Sequence, residues 1–477
     1  MRTLLLIHRY LGIGLGVLMA LWCLTGIVMV YVPYPSLAES ERVATLPPIN
    51  WTRCCDTDGA AALADDTLVS SFQLEMLGAA PVLRLGLADG SMRLLSPLDG
   101  HAFKGIGHDE ALAAAAQFGR SRGLSTRDAA YRVLDHDQWT VGGYHADRPL
   151  HRIAFNDLDG TEVYVSSRTG KVVQLTTRSQ RFWSWMGAVP HWLYPSVLRQ
   201  HPQAWSQAVI WTSLLGTFLT VTGLCIGIRQ LGRRRGGGAL SSPYRGIMFL
   251  HHVPGLIFGC FALTWVVSGL LSMNPWGLLE SDGFSEDRER LQGDLPTLAQ
   301  VRALLDVVPR NSPSNVVSVR SSLFDGHLFA ISTGMEGLRQ RFTASGAPAP
   351  LIEQDFRKAA QRLTGNNDVA RWTLLTQDDT YHYSVANEHA VFPAVRISAG
   401  PPSATLYYID AITGELIDRA DANSRAFRWW HSALHRWDIA APLRTLWGRT
   451  LFMLPLLLGA GFVCVLGAYL GIKRATR

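Results

Sequence analysis

The stretch Arg2-Thr-Leu-Leu-Leu-Ile-His8-Arg-Tyr-Leu-Gly12-Ile-Gly-Leu-Gly16-Val-Leu-Met-Ala-Leu-Trp22-Cys-Leu-Thr-Gly26 recurs 243 residues later. Its second copy is Arg245-Gly-Ile-Met-Phe-Leu-His251-His-Val-Pro-Gly255-Leu-Ile-Phe-Gly259-Cys-Phe-Ala-Leu-Thr-Trp265-Val-Val-Ser-Gly269. Arg2, His8, Gly12, Gly16, Trp22 and Gly26 fall in register on Arg245, His251, Gly255, Gly259, Trp265 and Gly269. At an offset of 244, Arg181, Trp185, His191, Gly223 and Gly227 fall on Arg425, Trp429, His435, Gly467 and Gly471. Apolar composition alone would not align so many Gly, Trp and His residues. The chain reads as a tandem internal duplication.

Each copy begins and ends with a segment long enough to cross a bilayer core of ~30 Å, which takes ~20 apolar residues. The expected spans are 1–32, 205–228, 246–273 and 446–472. The first is too long for a signal peptide and lacks a small-x-small site before Pro33, so it reads as a retained helix. Arg2 and Arg9, the basic loop 229–245 and the tail 473–477 flank the helices on one side. Cationic flanks stay cytoplasmic, which puts both termini and the middle loop inside and the long polar stretches on the outer face, which in a Gram-negative bacterium is the periplasm. This topology accounts for the net charge of +6, and nothing points to nucleic acid.

The polar stretches also repeat. His145, Pro149, Arg152, Tyr164 and Gly170 correspond to His389, Pro393, Arg396, Tyr408 and Gly414. Thr161–Val173 and Ala404–Ile417 have β-branched and aromatic character interrupted by Thr-Gly, the pattern of two short strands and a tight turn. Asp109–Arg122 and Gln354–Thr364 read as helices. The expectation is a four-helix membrane bundle carrying two extramembrane α+β domains, 33–180 and 274–424, each followed by an aromatic segment, 181–204 and 425–445. Cys23, Cys225, Cys260 and Cys464 lie in apolar spans as small hydrophobes. Cys54 and Cys55 are adjacent; a bond between neighbours would strain the backbone, which leaves an intermolecular bridge or free thiols.

Tyr164-Val-Ser-Ser-Arg-Thr-Gly170-Lys-Val and Tyr408-Ile-Asp-Ala-Ile-Thr-Gly414-Glu-Leu resemble the end of a PepSY domain. His8-Arg-Tyr-Leu-Gly12 with Thr25-Gly26, and Leu434-His435-Arg436, resemble the PepSY-associated transmembrane family. That family includes FoxB-type ferrisiderophore reductases, haem-containing proteins of the inner membrane. The resemblance therefore implies PepSY-like outer domains and a ferric siderophore or other ferric chelate as acceptor.

The histidines carry the chemistry. His8 and His251 are each followed at i+4 and i+8 by glycine, so imidazole and glycines share one helix face. Such a stripe admits either a neighbouring helix or a flat porphyrin, and haem b is commonly held by axial His. Their equivalent depth in both copies favours paired ligation over a packing seam with interfacial histidines. His252, adjacent to His251, points about 100° away and is a candidate propionate or headgroup contact. His191 and His435 occupy matching places ahead of the second and fourth helices. Arg181 and Arg425, ten residues upstream of each, are candidates to pair with propionates. His431 lies one turn before His435, in a spacing that also suits zinc, and is an alternative outer ligand.

Two haem b groups, between His8 and His251 and between His191 and His435, would carry electrons across the bilayer. No Gly-rich nucleotide fingerprint lies between a strand and a helix, so a quinol or a cytoplasmic reductase must supply the electrons. A haem-free envelope protein that binds a partner or restrains a peptidase is the alternative reading; it leaves the registered histidines unexplained. A permease is disfavoured because the helix cores lack acidic residues.

Overall fold

The computed structural model describes residues 2–476 except 52–53, 56–62, 99, 234–239, 312–314, 366–370, 386–388 and 401–403. The Gly236–Gly238 run of the basic loop, with Arg234, Arg235 and Arg477, lies outside the described residues. Four helices are long and apolar enough to cross a membrane: α1 (Arg2–Tyr31), α2 (Pro202–Gln230), α3 (Ile247–Ser272) and α4 (Leu446–Ala475). Pro202 opens α2 where its missing N–H costs nothing, and the Thr445 hydroxyl caps α4 by accepting from the Gly448 N–H. Their shared core comprises Met19, Cys23, Leu219, Ala262, Met453, Leu457 and Ala460.

These helices form one compact unit of residues 1–34, 179–281 and 423–477. The segments leading into α2 and α4 differ. The helix Arg178–Met186 breaks at Gly187 and resumes as Ala188–His191. Its counterpart continues from Ala422–Phe427 through a π-helical turn, Arg428–Ala433, into Leu434–Arg436, and stops at Trp437 in a left-handed backbone.

The second compact unit, residues 35–178 and 282–422, holds the polar stretches. Its strands are β1 (Val69–Leu77), β2 (Ala80–Leu87), β3 (Met92–Leu95), β4 (Ala102–Phe103), β5 (Ala130–Leu134), β6 (Leu150–Ala154), β7 (Glu162–Ser166) and β8 (Val172–Thr176). From the later stretch come β9 (Val316–Phe324), β10 (His327–Gly334), β11 (Arg339–Phe342), β12 (Arg371–Leu375), β13 (Ala394–Ser398), β14 (Leu406–Asp410) and β15 (Leu416–Ala420). Strands from both stretches join in one seven-stranded sheet, ordered β11-β10-β9-β1-β2-β3-β4. The join is antiparallel, with Gln73, Leu74 and Glu75 opposite Arg320, Val319 and Ser318. The helix Leu298–Asn311 contributes Leu298, Val301, Leu304, Leu305 and Val308 to a core with Phe72, Leu74, Leu83 and Leu85.

Two further sheets, β5-β6-β7-β8 and β12-β13-β14-β15, pack against the helices His108–Arg120 and Glu353–Thr364. The Thr-Gly turns lie where the sequence pattern put them, between β7 and β8 and between β14 and β15. Gly170 (φ 69°) and Gly414 (φ 81°) are left-handed, which glycine adopts without a Cβ penalty. A Cβ on Gly414 would also meet the Phe324 ring at 2.9 Å.

Glu75 is the most loaded polar group of this unit. It is fully buried and pairs with Arg42 (2.7 Å) and Arg84 (3.1 Å), and its carboxylate also accepts from the Gln73 amide and the Ser318 hydroxyl. The two guanidinium groups offset the desolvation that would raise its pKa, and hold it down at about 2. The cysteine expectation is corrected: Cys54 and Cys55 are bonded to each other. Cys55 takes a left-handed backbone (φ 78°).

Candidate functional site

Two cavities open between the four long helices. The first, about 670 Å³, lies among the starts of α1 and α3 and the ends of α2 and α4, and is lined by His8 and His251. The second, about 600 Å³, lies among the opposite helix ends and is lined by His191, His431 and His435. Both volumes fall within the ~300–1,000 Å³ of ordinary cofactor and ligand pockets. Met19 and Ala262 line both, so the cavities adjoin in the middle of the bundle.

The histidines are seated in one recurring way. His8 Nδ1 lies 3.2 Å from the Leu219 carbonyl of α2, and its ring rests on Gly223, one turn further along. His251 Nδ1 lies 3.1 Å from the Val463 carbonyl of α4, and its ring rests on Gly467. His191 Nδ1 lies 3.1 Å from the Trp22 carbonyl of α1, with its ring against Gly26. His435 lies against Gly269 of α3, with Nδ1 3.0 Å from the Ser268 hydroxyl, which itself donates to the Trp265 carbonyl. An acceptor opposite Nδ1 requires the proton on that nitrogen. Each ring then presents Nε2 as an unprotonated lone pair.

Two of these contacts require glycine. A Cβ on Gly223 would come within 2.6 Å of His8 Cε1, and one on Gly467 within 2.8 Å of His251 Cε1. At Gly26 and Gly269 the corresponding distances are 3.5 and 3.4 Å, so the second cavity holds its rings less tightly. The His191 and His435 ring centroids are 6.1 Å apart. Two metal–nitrogen bonds of ~2 Å each, plus half of each ring, span about that distance. His431 stacks on His435 at 5.2 Å and donates from Nδ1 to the Ser268 carbonyl at 2.9 Å. It reaches the cavity through the π-helical turn, a distortion often found at functional sites.

A family model described as the PepSY-associated TM region matches residues 5–463. The chain belongs to that family. No match was found among curated proteins. This PepSY-associated membrane protein thus keeps its histidine pairs on the segments that the family pattern covers.

The remaining candidate residues are redistributed. His252 is buried, with Nδ1 against the Ser242 hydroxyl (2.7 Å) and Nε2 donating to the Gly227 carbonyl (2.8 Å). Both nitrogens are engaged, which ties the loop before α3 to α2, and His252 also lines the first cavity. Arg181 and Arg425 are not among the residues lining the second cavity; Arg199, Arg436 and Arg449 are. Ten residues of largely helical chain span about 15 Å, which carries Arg181 and Arg425 away from the histidine level. The first cavity has its own cations, Arg9, Arg245, Lys473 and Arg474, legible in sequence only as topology signals. Among the described residues no acidic side chain lines either cavity. Among the described residues no cluster of three or more His, Cys, Asp or Glu side chains could hold a metal ion unaided.

Two donors add to the second cavity. Trp22 and Trp265 line it, and their indole N–H groups are buried without a hydrogen-bond partner among the described residues. Five exposed tryptophans are of another kind. Trp183, Trp185, Trp429, Trp430 and Trp447 face outward, as residues at a membrane–water interface do.

Proposed function

We propose that this protein transfers electrons across the bacterial inner membrane through two haem b groups, one in each cavity. The observation that carries the reading is the fourfold seat: a glycine beneath each imidazole and an acceptor at Nδ1, leaving Nε2 to the cavity. Haem-ligating histidines characteristically donate their other N–H to a carbonyl, which fixes ring orientation and raises ligand basicity. His8 with His251, and His191 with His435, would be the axial ligands. The duplicated sequence supports this assignment, because it repeats both the histidines and the glycines on which they rest.

The haem groups would supply one-electron chemistry; the chain's part is to hold, space and insulate them. His8 and Gly26, the seat of His191, are 18 residues apart on α1, a rise of about 27 Å. The two histidine layers thus stand near opposite faces of a ~30 Å bilayer core. By the family resemblance, the acceptor is a periplasmic ferric siderophore or other ferric chelate, and the PepSY-like strands belong to its docking surface. Cationic flanks at Arg2, Arg9 and Lys473 support cytoplasmic termini. Electrons would enter at the first cavity from a quinol or a separate reductase.

The test is an absorption spectrum of the detergent-purified protein before and after dithionite, with haem quantified per chain. About two six-coordinate haems per chain, one lost in His8→Ala and the other in His435→Ala, is the expected result. A colourless protein from haem-replete cells would overturn the proposal in favour of a haem-free envelope binding protein.

A further inference from the structure

We propose that Arg199 and Arg449 anchor two carboxylates of the ligand in the second cavity, namely the propionates of its haem. The inference rests on the haem reading above. Among the described residues neither guanidinium makes a hydrogen bond or an ion pair, and the Nε atom of each is buried without a partner. Arg436 is different, because it already pairs with Asp438 at 3.3 Å. Both side chains are half-buried; Arg449 also stands near the buried Asp438, but that carboxylate is already engaged by Arg428 (2.6 Å) and Arg436 (3.3 Å), so an anion entering the cavity would find both guanidinium groups available to it.

The positions of the two arginines define what kind of anion fits. Arg199 precedes α2 and Arg449 lies in the first turn of α4, so both stand at one end of the cavity. Along α4, Met453 and Leu457 follow Arg449 at four-residue spacing on the same face, and both line the cavity. The Arg199 guanidinium is steadied over the rings of Trp205 (4.6 Å) and Tyr194 (5.3 Å). The cavity is therefore cationic at one end and apolar in its depth, with imidazoles between. That profile fits a ligand with a broad apolar body and two carboxylates on one edge. Guanidinium groups bind carboxylates through paired N–H donors, which fixes orientation as well as affinity.

The experiment supplies haem, or haem whose two propionates are esterified as the dimethyl ester, to protein made under haem limitation. Uptake at each site is then followed by reduced-minus-oxidised spectra. Wild-type protein should load both sites with haem but fill the second site severalfold less well with the ester. R199Q and R449Q should lose second-site haem and shift its midpoint potential, R199K and R449K should restore much of both, and the first-site spectrum should report that each variant is folded. Equal uptake of haem and ester at the second site, or unchanged potentials in both Gln variants, would overturn the inference while leaving the haem proposal standing. A wild-type protein that takes up no haem at either site would instead overturn the underlying reading.

Discussion

The two cavities use the same residue types but are built from different parts of the chain. In the first, both histidines belong to membrane-length helices, and each ring is wedged against a glycine of another such helix. In the second, both histidines come from short segments before α2 and α4, and a third histidine enters through a π-helical turn. The first site therefore depends on helix register alone, whereas the second depends on how two irregular connections fold. The cations differ as well: side chains near the helix ends and both termini at the first, guanidinium groups with buried, unpartnered Nε atoms at the second.

The strongest test of that difference is at the glycines. Gly223→Ala or Gly467→Ala would force a Cβ to 2.6 or 2.8 Å from an imidazole already tied to a carbonyl. We expect near-complete loss of first-site haem with the second site intact. Gly26→Ala and Gly269→Ala add a Cβ at ordinary contact distance and should leave haem content close to wild type. Equal losses in all four variants, measured by haem per chain, would erase the distinction between the sites.

Next in size is a change that should touch neither cavity. Glu75→Gln leaves Arg42 with Glu39 (2.6 Å) but Arg84 buried without a carboxylate, a loss of roughly 3–5 kcal/mol for a broken buried pair. Thermal unfolding of the extramembrane unit should fall while both haem spectra persist. The pH dependence has a definite sign. The Glu75 pKa is depressed in the folded state, from 4.5 to about 2. Its contribution is fully present above about pH 4.5 and is lost as pH falls towards 2. An acid unfolding midpoint that is identical in wild type and Glu75→Gln would remove Glu75 from that account.

The smallest effect concerns hydroxyls. Thr25 Oγ1 (3.1 Å) and Ser268 Oγ (3.0 Å) share the Nδ1 protons of His191 and His435. Thr25→Val or Ser268→Ala should raise the second-site potential slightly, because a less polarised imidazole donates less charge to iron. The first-site potential should stay unchanged. A matching shift at both sites in a redox titration would show that the two are not independently tuned.

Much of this was legible in sequence because it is local or repeated. Apolar length alone places the four helices to within a few residues, and the recurrence of His8 and His191 at His251 and His435 singles out the residues that share cavities. The Thr-Gly turns were readable because Gly170 and Gly414 need a conformation that other residues resist. His431 was visible as a spacing, but its π-helical setting was not, since no residue in Arg428–Ala433 marks the extra residue in the turn.

What only the tertiary structure decided are the pairings between distant segments. The sequence records that Gly223 and Gly467 repeat, but not that each lies under a histidine from another helix. It contains Arg199 and Arg449 without indicating that they share a cavity while Arg181 and Arg425 stand outside it. It shows two similar polar stretches, but not that β1 and β9 fuse them into one sheet. Periodicity and residue type act over a few neighbouring positions, so they specify elements and faces; which faces meet is set by packing across the whole chain.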